Sequence, residues 1–160
     1  MNHSSFLRDA GMVLLAATLT LCAFITMAQQ LNPPILTSQR SLGSSADDQF
    51  RSMSLTPDGG CILAGYSTAA NGDVAMHLGQ KDYWIVKLDS AFAIEWQQVL
   101  GGSKIDWARN VQCAADGGYL ILGYSNSTNG QITVNQGSYD YWLVKLDQHG
   151  NLLWQKTVGG

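Results

Sequence analysis

Past its first forty residues the chain is written twice. Residues 56–102, TPDGGCILAGYSTAANGDVAMHLGQKDYWIVKLDSAFAIEWQQVLGG, lie without a gap over residues 114–160, AADGGYLILGYSNSTNGQITVNQGSYDYWLVKLDQHGNLLWQKTVGG. The offset of roughly 58 residues is on the scale of repeat arrays. Shared positions include Asp58/Asp116, Gly65/Gly123, Asn71/Asn129, Asp82/Asp140, Trp84/Trp142, Asp89/Asp147 and Trp96/Trp154. Upstream, Leu42-Gly43 matches Leu100-Gly101, Asp48 matches Asp106 and Arg51 matches Arg109. Agreement of that density is duplication. It divides the chain into repeat 1 (41–100) and repeat 2 (101–160), with 29–40 as a linker.

Each repeat reads as four strands. The first, about Phe50 to Leu55 (Ala108 to Cys113), alternates apolar and polar residues and ends at Pro57-Asp58-Gly59-Gly60 or Ala115-Asp116-Gly117-Gly118. This is a hairpin signal, because glycine accepts the positive φ of a tight turn. The second, 61–67 or 119–125, is nearly continuously apolar, as a strand buried on both faces is. A loop rich in Ser, Asn and Gly leads to the third, 82–89 or 140–147, and a short connection to the fourth, 94–100 or 152–158. His149-Gly150-Asn151 is an evident turn, whereas Ser90 to Ala93 is a poorer one that must rely on packing. Eleven carboxylates are Asp and only Glu95 is Glu, a bias towards turns over helices. The fold class is all-β: tandem four-stranded antiparallel blades of a β-propeller, with a sandwich as the alternative. Propellers close with ~4–8 blades, and this sequence holds about two, ending at Val158-Gly159-Gly160 where a third would open. The expectation is therefore a fragment of a longer product, or protomers that associate to complete a ring.

Residues 1–28 read as an export signal, with an apolar run Gly11 to Ala28 behind Arg8 and small residues Thr26 and Ala28 before a cut at Gln29. An uncleaved anchor is the alternative, since ~18 apolar residues can just span a bilayer. A lipoprotein role for Cys22 is disfavoured by the bulky Leu21 before it. The expected location is the cell surface or the exterior.

The segments DGGYLILGYS (116–125), SYDYWLVKLDQHGNLLW (138–154) and VGG (158–160) resemble the units of a family of bacterial secreted and surface repeat proteins. The resemblance implies a propeller-like fold and export, often with a C-terminal sorting domain for type IX secretion in longer members. Some similar proteins are catalogued by similarity as endoglucanases. The first copy departs from the pattern at Cys61, at Ser44 and over Ser90–Ala93, as a degenerate terminal blade would. Asp147, Gly150 and Trp154 look like part of the tryptophan-docking motif of quinone-dependent propellers, but the Thr is missing and the spacing is one residue short.

Trp84, Trp142, Trp96 and Trp154 recur at matched places, which assigns them to packing between blades. Trp107 has no counterpart, since position 49 is Gln, and is the better candidate for an exposed, ligand-stacking aromatic. Asp82 and Asp140 are expected to hold loop amides at the start of the third strand. Asp48 and Asp106, beside Arg51 and Arg109, suggest ion pairs that clip neighbouring units. Asn71, Asp73 and Asp82 offer oxygens of the kind calcium takes, but the partner loop, Asn129 to Asp140, has neutral Gln131 in place of Asp73. Asn71, Asp73 and Asn129 sit on the long irregular loops, where binding is usually found.

No catalytic set emerges. His77 and His149 occupy unrelated repeat positions, no G-x-S-x-G pattern occurs, and Glu95 aligns with Leu153. Cys61 and Cys113 read as buried thiols. A net charge of −3 and a pI near 5.4 argue against nucleic acid. The expected function is a non-catalytic binding or display scaffold for a protein or glycan, with no cofactor. The alternative is an accessory or partial region of a polysaccharide-degrading enzyme.

Overall fold

A computed structural model describes residues 39–160; residues 1–28, read above as an export signal, with Cys22, and residues 29–38, read as a linker, lie outside the described residues. The described chain is all-β, with eight strands and no helix. They are β1 (Gln49–Leu55), β2 (Cys61–Ser67), β3 (Asp82–Leu88), β4 (Ile94–Leu100), β5 (Asp106–Cys113), β6 (Tyr119–Ser125), β7 (Asp140–Leu146) and β8 (Leu152–Val158). Two four-stranded antiparallel meanders result, β1-β2-β3-β4 and β5-β6-β7-β8.

The registers repeat as the sequence does. Gln49 faces Tyr66 and Trp107 faces Tyr124; Gly65 faces Trp84 and Gly123 faces Trp142. Even the irregularities recur, with bulges at Arg51 and Arg109 on the first strands and at Glu95 and Leu153 on the fourth. Gly59 (φ 85°) and Gly117 (φ 83°) supply the positive φ of the β1–β2 and β5–β6 hairpins. The Ser90–Ala93 turn is built without glycine: Phe92 itself takes φ 61°. Asp89 Oδ1 holds that turn by accepting the amides of Ala91 and Ala93, both at 2.8 Å, just as Asp147 Oδ1 accepts those of His149 and Asn151.

The sheets share one core. Ile62, Ala64, Tyr83, Ile85 and Leu100 of the first sheet meet Ala108, Val111, Tyr119, Ile121, Trp142, Val144 and Leu146 of the second, and Trp96 packs at the margin. Three contacts across this junction join residues 59 apart: Val111 N donates to Ser52 Oγ (3.2 Å), Cys113 Sγ meets Ser54 Oγ (3.6 Å), and Tyr83 Oη donates to the Trp142 carbonyl (2.9 Å). β1 thus meets its own copy β5, and β3 its own copy β7. Successive blades stack this way, whereas a sandwich halved by a two-fold axis would reverse the order. A second cluster on the opposite face of the first sheet holds Cys61, Val74, Trp84, Val86, Leu88 and Val99.

Candidate functional site

The β2–β3 loop of the first sheet returns to the start of the second. Gln80 and Lys81 donate their amides to the Lys104 carbonyl (2.8 and 3.1 Å), and Asp106 N donates to the Lys81 carbonyl (2.7 Å), making an isolated parallel bridge between Lys81 and Ile105. This brings Lys81 beside the first turn of β5, where Trp107 and Tyr124 face each other across β5 and β6. The bulge re-aims the Arg109 side chain out of the ladder, and its guanidinium lies 3.9 Å from the Trp107 ring centroid. Arg51, on the matching bulge, approaches the same ring at 5.1 Å. Lys81 Nζ lies 3.8 Å from the Tyr66 ring and 5.4 Å from that of Trp107. Lys81, Ile105, Trp107, Arg109, Tyr124 and Tyr139 line a cleft of about 420 Å³.

Three cations thus gather on aromatic faces, an arrangement the negative quadrupole of a ring stabilises. One carboxylate answers them: Asp47 accepts Tyr66 Oη at 2.7 Å and Lys81 Nζ at 3.3 Å. Those two bonds, Tyr66 first, hold the Asp47 carboxyl below its ordinary range. Burial pulls the Lys81 ammonium down, but its contacts with Tyr66 and Asp47 outweigh burial and leave it raised. Both groups stay ionised at neutral pH. Among the described residues Arg51 and Arg109 have no carboxylate within ion-pair distance, and the buried Trp107 Nε1 has no acceptor. The expected ion pairs with Asp48 and Asp106 are therefore replaced by cation–π contacts. Asp48 Oδ2 accepts the Ser44 amide and hydroxyl instead, and Asp106 Oδ2 the Gly102 amide and the Ser127 hydroxyl.

Trp107 does line the cleft, but half-buried under its arginines and not as a bare stacking platform; Tyr139 is the exposed ring. Asn71, Asp73 and Asn129 do not reach it. Asn71 Oδ1 accepts Ser45 N (2.6 Å) and Asn129 Oδ1 accepts Ser103 N (2.8 Å). Asp73 Oδ2 accepts Gly43 N (3.1 Å), and Gln131 Oε1 accepts Gly101 N (3.0 Å) at the matching place. The loop needs an acceptor there and not a charge, which explains how Asp73 and Gln131 interchange. Asp82 Oδ2 takes the amides of Leu78 (2.7 Å) and Gly79 (3.1 Å), with His77 Nδ1 at 2.7 Å, and Asp140 Oδ2 takes Gln136 N (2.6 Å). The oxygens suggested for calcium are thus spread over separate backbone segments.

The matched tryptophans divide. Trp142 packs on Tyr83 between the sheets (centroids 4.5 Å apart) and Trp96 on Tyr119 (5.6 Å). Trp84 stacks on Phe50 of its own sheet (4.6 Å), and Trp154 is exposed. Interblade packing therefore describes Trp142 and Trp96 alone. Sequence reasoning missed Gln97 and Gln155, although they match: each accepts the buried indole N–H of Trp84 (3.0 Å) or Trp142 (2.9 Å).

A second cavity, of about 510 Å³, lies near the β1–β2 hairpin and includes Asp58, Lys87, Glu95, Trp96, Tyr119 and His149. Its carboxylates are tied down. Lys87 Nζ, on a side chain only 3% exposed, donates to Asp58 (2.8 Å) and Glu95 (2.6 Å), so Glu95 turns back on its own sheet. Lys145 repeats the bond to Asp116 (2.6 Å). The Lys87 bond, then those of Thr56 and Gly60, hold the Asp58 carboxyl far below the usual range. Cys61 is buried and its thiol pushed up by burial, whereas Cys113 is exposed, contrary to expectation; both are free.

No protein-family model matches the chain, and no curated protein matches it either.

Proposed function

We propose that this chain is an exported repeat scaffold that binds a carboxylate-bearing glycan in the Trp107 cleft. The observation that carries this reading is the convergence of Arg51, Arg109 and Lys81 on Tyr66 and Trp107, where Asp47 pairs with Lys81 and, among the described residues, no carboxylate pairs with either arginine. A guanidinium already ordered on an aromatic face loses little freedom when it takes a carboxylate in bidentate fashion. The exposed Tyr139 ring offers an apolar platform for a sugar face at the mouth of the same cleft. A net charge of −3 does not suit an extended phosphate backbone, so a local anionic group is the better fit. Export is supported by the pattern of residues 1–28 and by the resemblance to secreted repeat proteins.

Titrating the full chain with polygalacturonate and with neutral dextran tests the reading. Binding is expected to the acidic polymer alone, weakening as salt rises. Arg109→Ala should cost about tenfold in affinity, the loss of ~1.4 kcal/mol expected when one charge-assisted contact goes. Equal binding of both polymers, or an Arg109→Ala chain that binds like the parent, overturns it.

A further inference from the structure

The two sheets have matching faces that are treated differently. The first sheet offers the second Tyr83, Ala64 and Leu100, with Trp96 at the rim. The same face of the second sheet carries Tyr141 (53% exposed), Leu122 (41%), Val158 (53%) and Trp154 (46%) at the matched positions. It is a complete blade-offering face.

The receiving faces are not alike. On the second sheet, Tyr83 packs over Trp142 because Ala108 leaves room beside it, and Trp96 lies on Tyr119 and over Gly150. A Cβ at Gly150 would stand 2.7 Å from the Trp96 ring. The first sheet changes all three receiving residues: Phe50 stands where Ala108 does, Cys61 where Tyr119 does and Phe92 where Gly150 does. Phe50 stacks on Trp84 at 4.6 Å, where an incoming tyrosine would lie. Phe92 puts a side chain where a docking tryptophan needs bare backbone, and Arg40 donates to its carbonyl at 2.9 Å. The first sheet therefore lacks the receiving set.

From this asymmetry we infer that the outer face of β6–β8 is a docking surface for one kind of partner, a four-stranded sheet of the repeat-2 type. Such a sheet carries Ala, Tyr and Gly at the places of Ala108, Tyr119 and Gly150. A second copy of this chain does not qualify. Its one receiving face of that kind is filled by its own first sheet, and its other carries Phe50, Cys61 and Phe92 in place of the receiving set. This surface adjoins the Trp107 cleft, since Tyr124 lines the cleft and its ring lies 5.2 Å from that of Tyr141, but the inference rests on the unequal receiving faces and not on the glycan reading.

Appending a further copy of residues 103–160 directly after Gly160 tests it. Gln112 occupies the place of Ser54, whose Oγ meets Cys113 Sγ at 3.6 Å across the existing junction. Gln112→Cys in the extended chain is therefore expected to form a disulfide with the appended copy of Cys113, as Ser54→Cys should with Cys113 in the parent. Iodide quenching of the Trp154 contribution, taken against Trp154→Phe, should fall severalfold on extension. It should not fall when the appended copy carries A108F, Y119C and G150F. Formation of the Ser54→Cys bridge without the Gln112→Cys bridge, or undiminished quenching, overturns the inference. So does a disulfide-linked dimer of the unextended Gln112→Cys chain, which would make a second copy the occupant.

Discussion

At the residue scale, matched positions carry unequal burdens. Gly150 is at φ 83° with the Trp96 ring against it, so both backbone and space demand glycine. Gly150→Ala should destabilise the fold by about 1–3 kcal/mol, from left-handed strain and displacement of the indole, as urea unfolding would measure. Glu95 is the opposite case. It is one of two carboxylates on Lys87, and the second sheet manages with Asp116 alone on Lys145 and Leu153 in the place of Glu95. Glu95→Leu should therefore cost less than about 1 kcal/mol, as the loss of one partly exposed ion pair does; a larger fall in the urea midpoint would show that Asp58 by itself does not compensate the buried ammonium.

At the element scale, each sheet is tied to its long loop through one glutamine. Gln97 accepts the Trp84 indole N–H and donates to the Asp73 carbonyl (2.8 Å), while Gln155 accepts from Trp142 and donates to Thr133 Oγ1 (3.2 Å). Gln97→Leu strands a buried donor and a loop carbonyl, at a cost of about 1–3 kcal/mol. Hydrogen exchange should show the 68–81 loop opening more than the strands. The strands themselves were legible in the sequence. β2, β4, β6 and β8 fall on the ranges read from apolar runs and turn residues, and β3 and β7 stop one residue earlier because Asp89 and Asp147 are spent on turns. The starts of β1 and β5 were less legible. Gln49, Asp106 and Trp107 interrupt the apolar alternation, and pairing with β2 and β6 recruits them.

Over the whole molecule, acid response follows from carboxyls with opposite shifts. The bonds from Lys87 to Asp58, from Lys145 to Asp116 and from Asn151 to Asp147 depress those three carboxyls in the folded state. Their stabilisation is complete above the ordinary carboxylate value near 3.8 and is lost as pH falls through the depressed values. Asp106 runs the other way. Burial raises it, against the bonds from Ser125, Gly102 and Ser127, so folding takes up a proton there and stability grows as pH falls from the raised value towards 3.8. Thermal midpoints should therefore rise slightly on mild acidification and fall again below about pH 4. Asp106→Asn should remove the rise and leave the fall; an unchanged profile would separate Asp106 from the effect.

The order of residues by itself determined the period, the eight strands and their turns, because alternation, glycine placement and Asp-capped corners act over a few neighbours. It also placed Trp107 apart from the repeat, though not the company it keeps. Lys81, Arg109 and Tyr139 meet it only because the β2–β3 loop crosses to the second sheet and a bulge turns Arg109 outward. Tertiary structure likewise decided that Trp96 is packed while Trp154, in nearly the same local sequence, is exposed. Local sequence sets a strand's conformation, but burial belongs to whatever surface lies against it, and the two sheets have different neighbours.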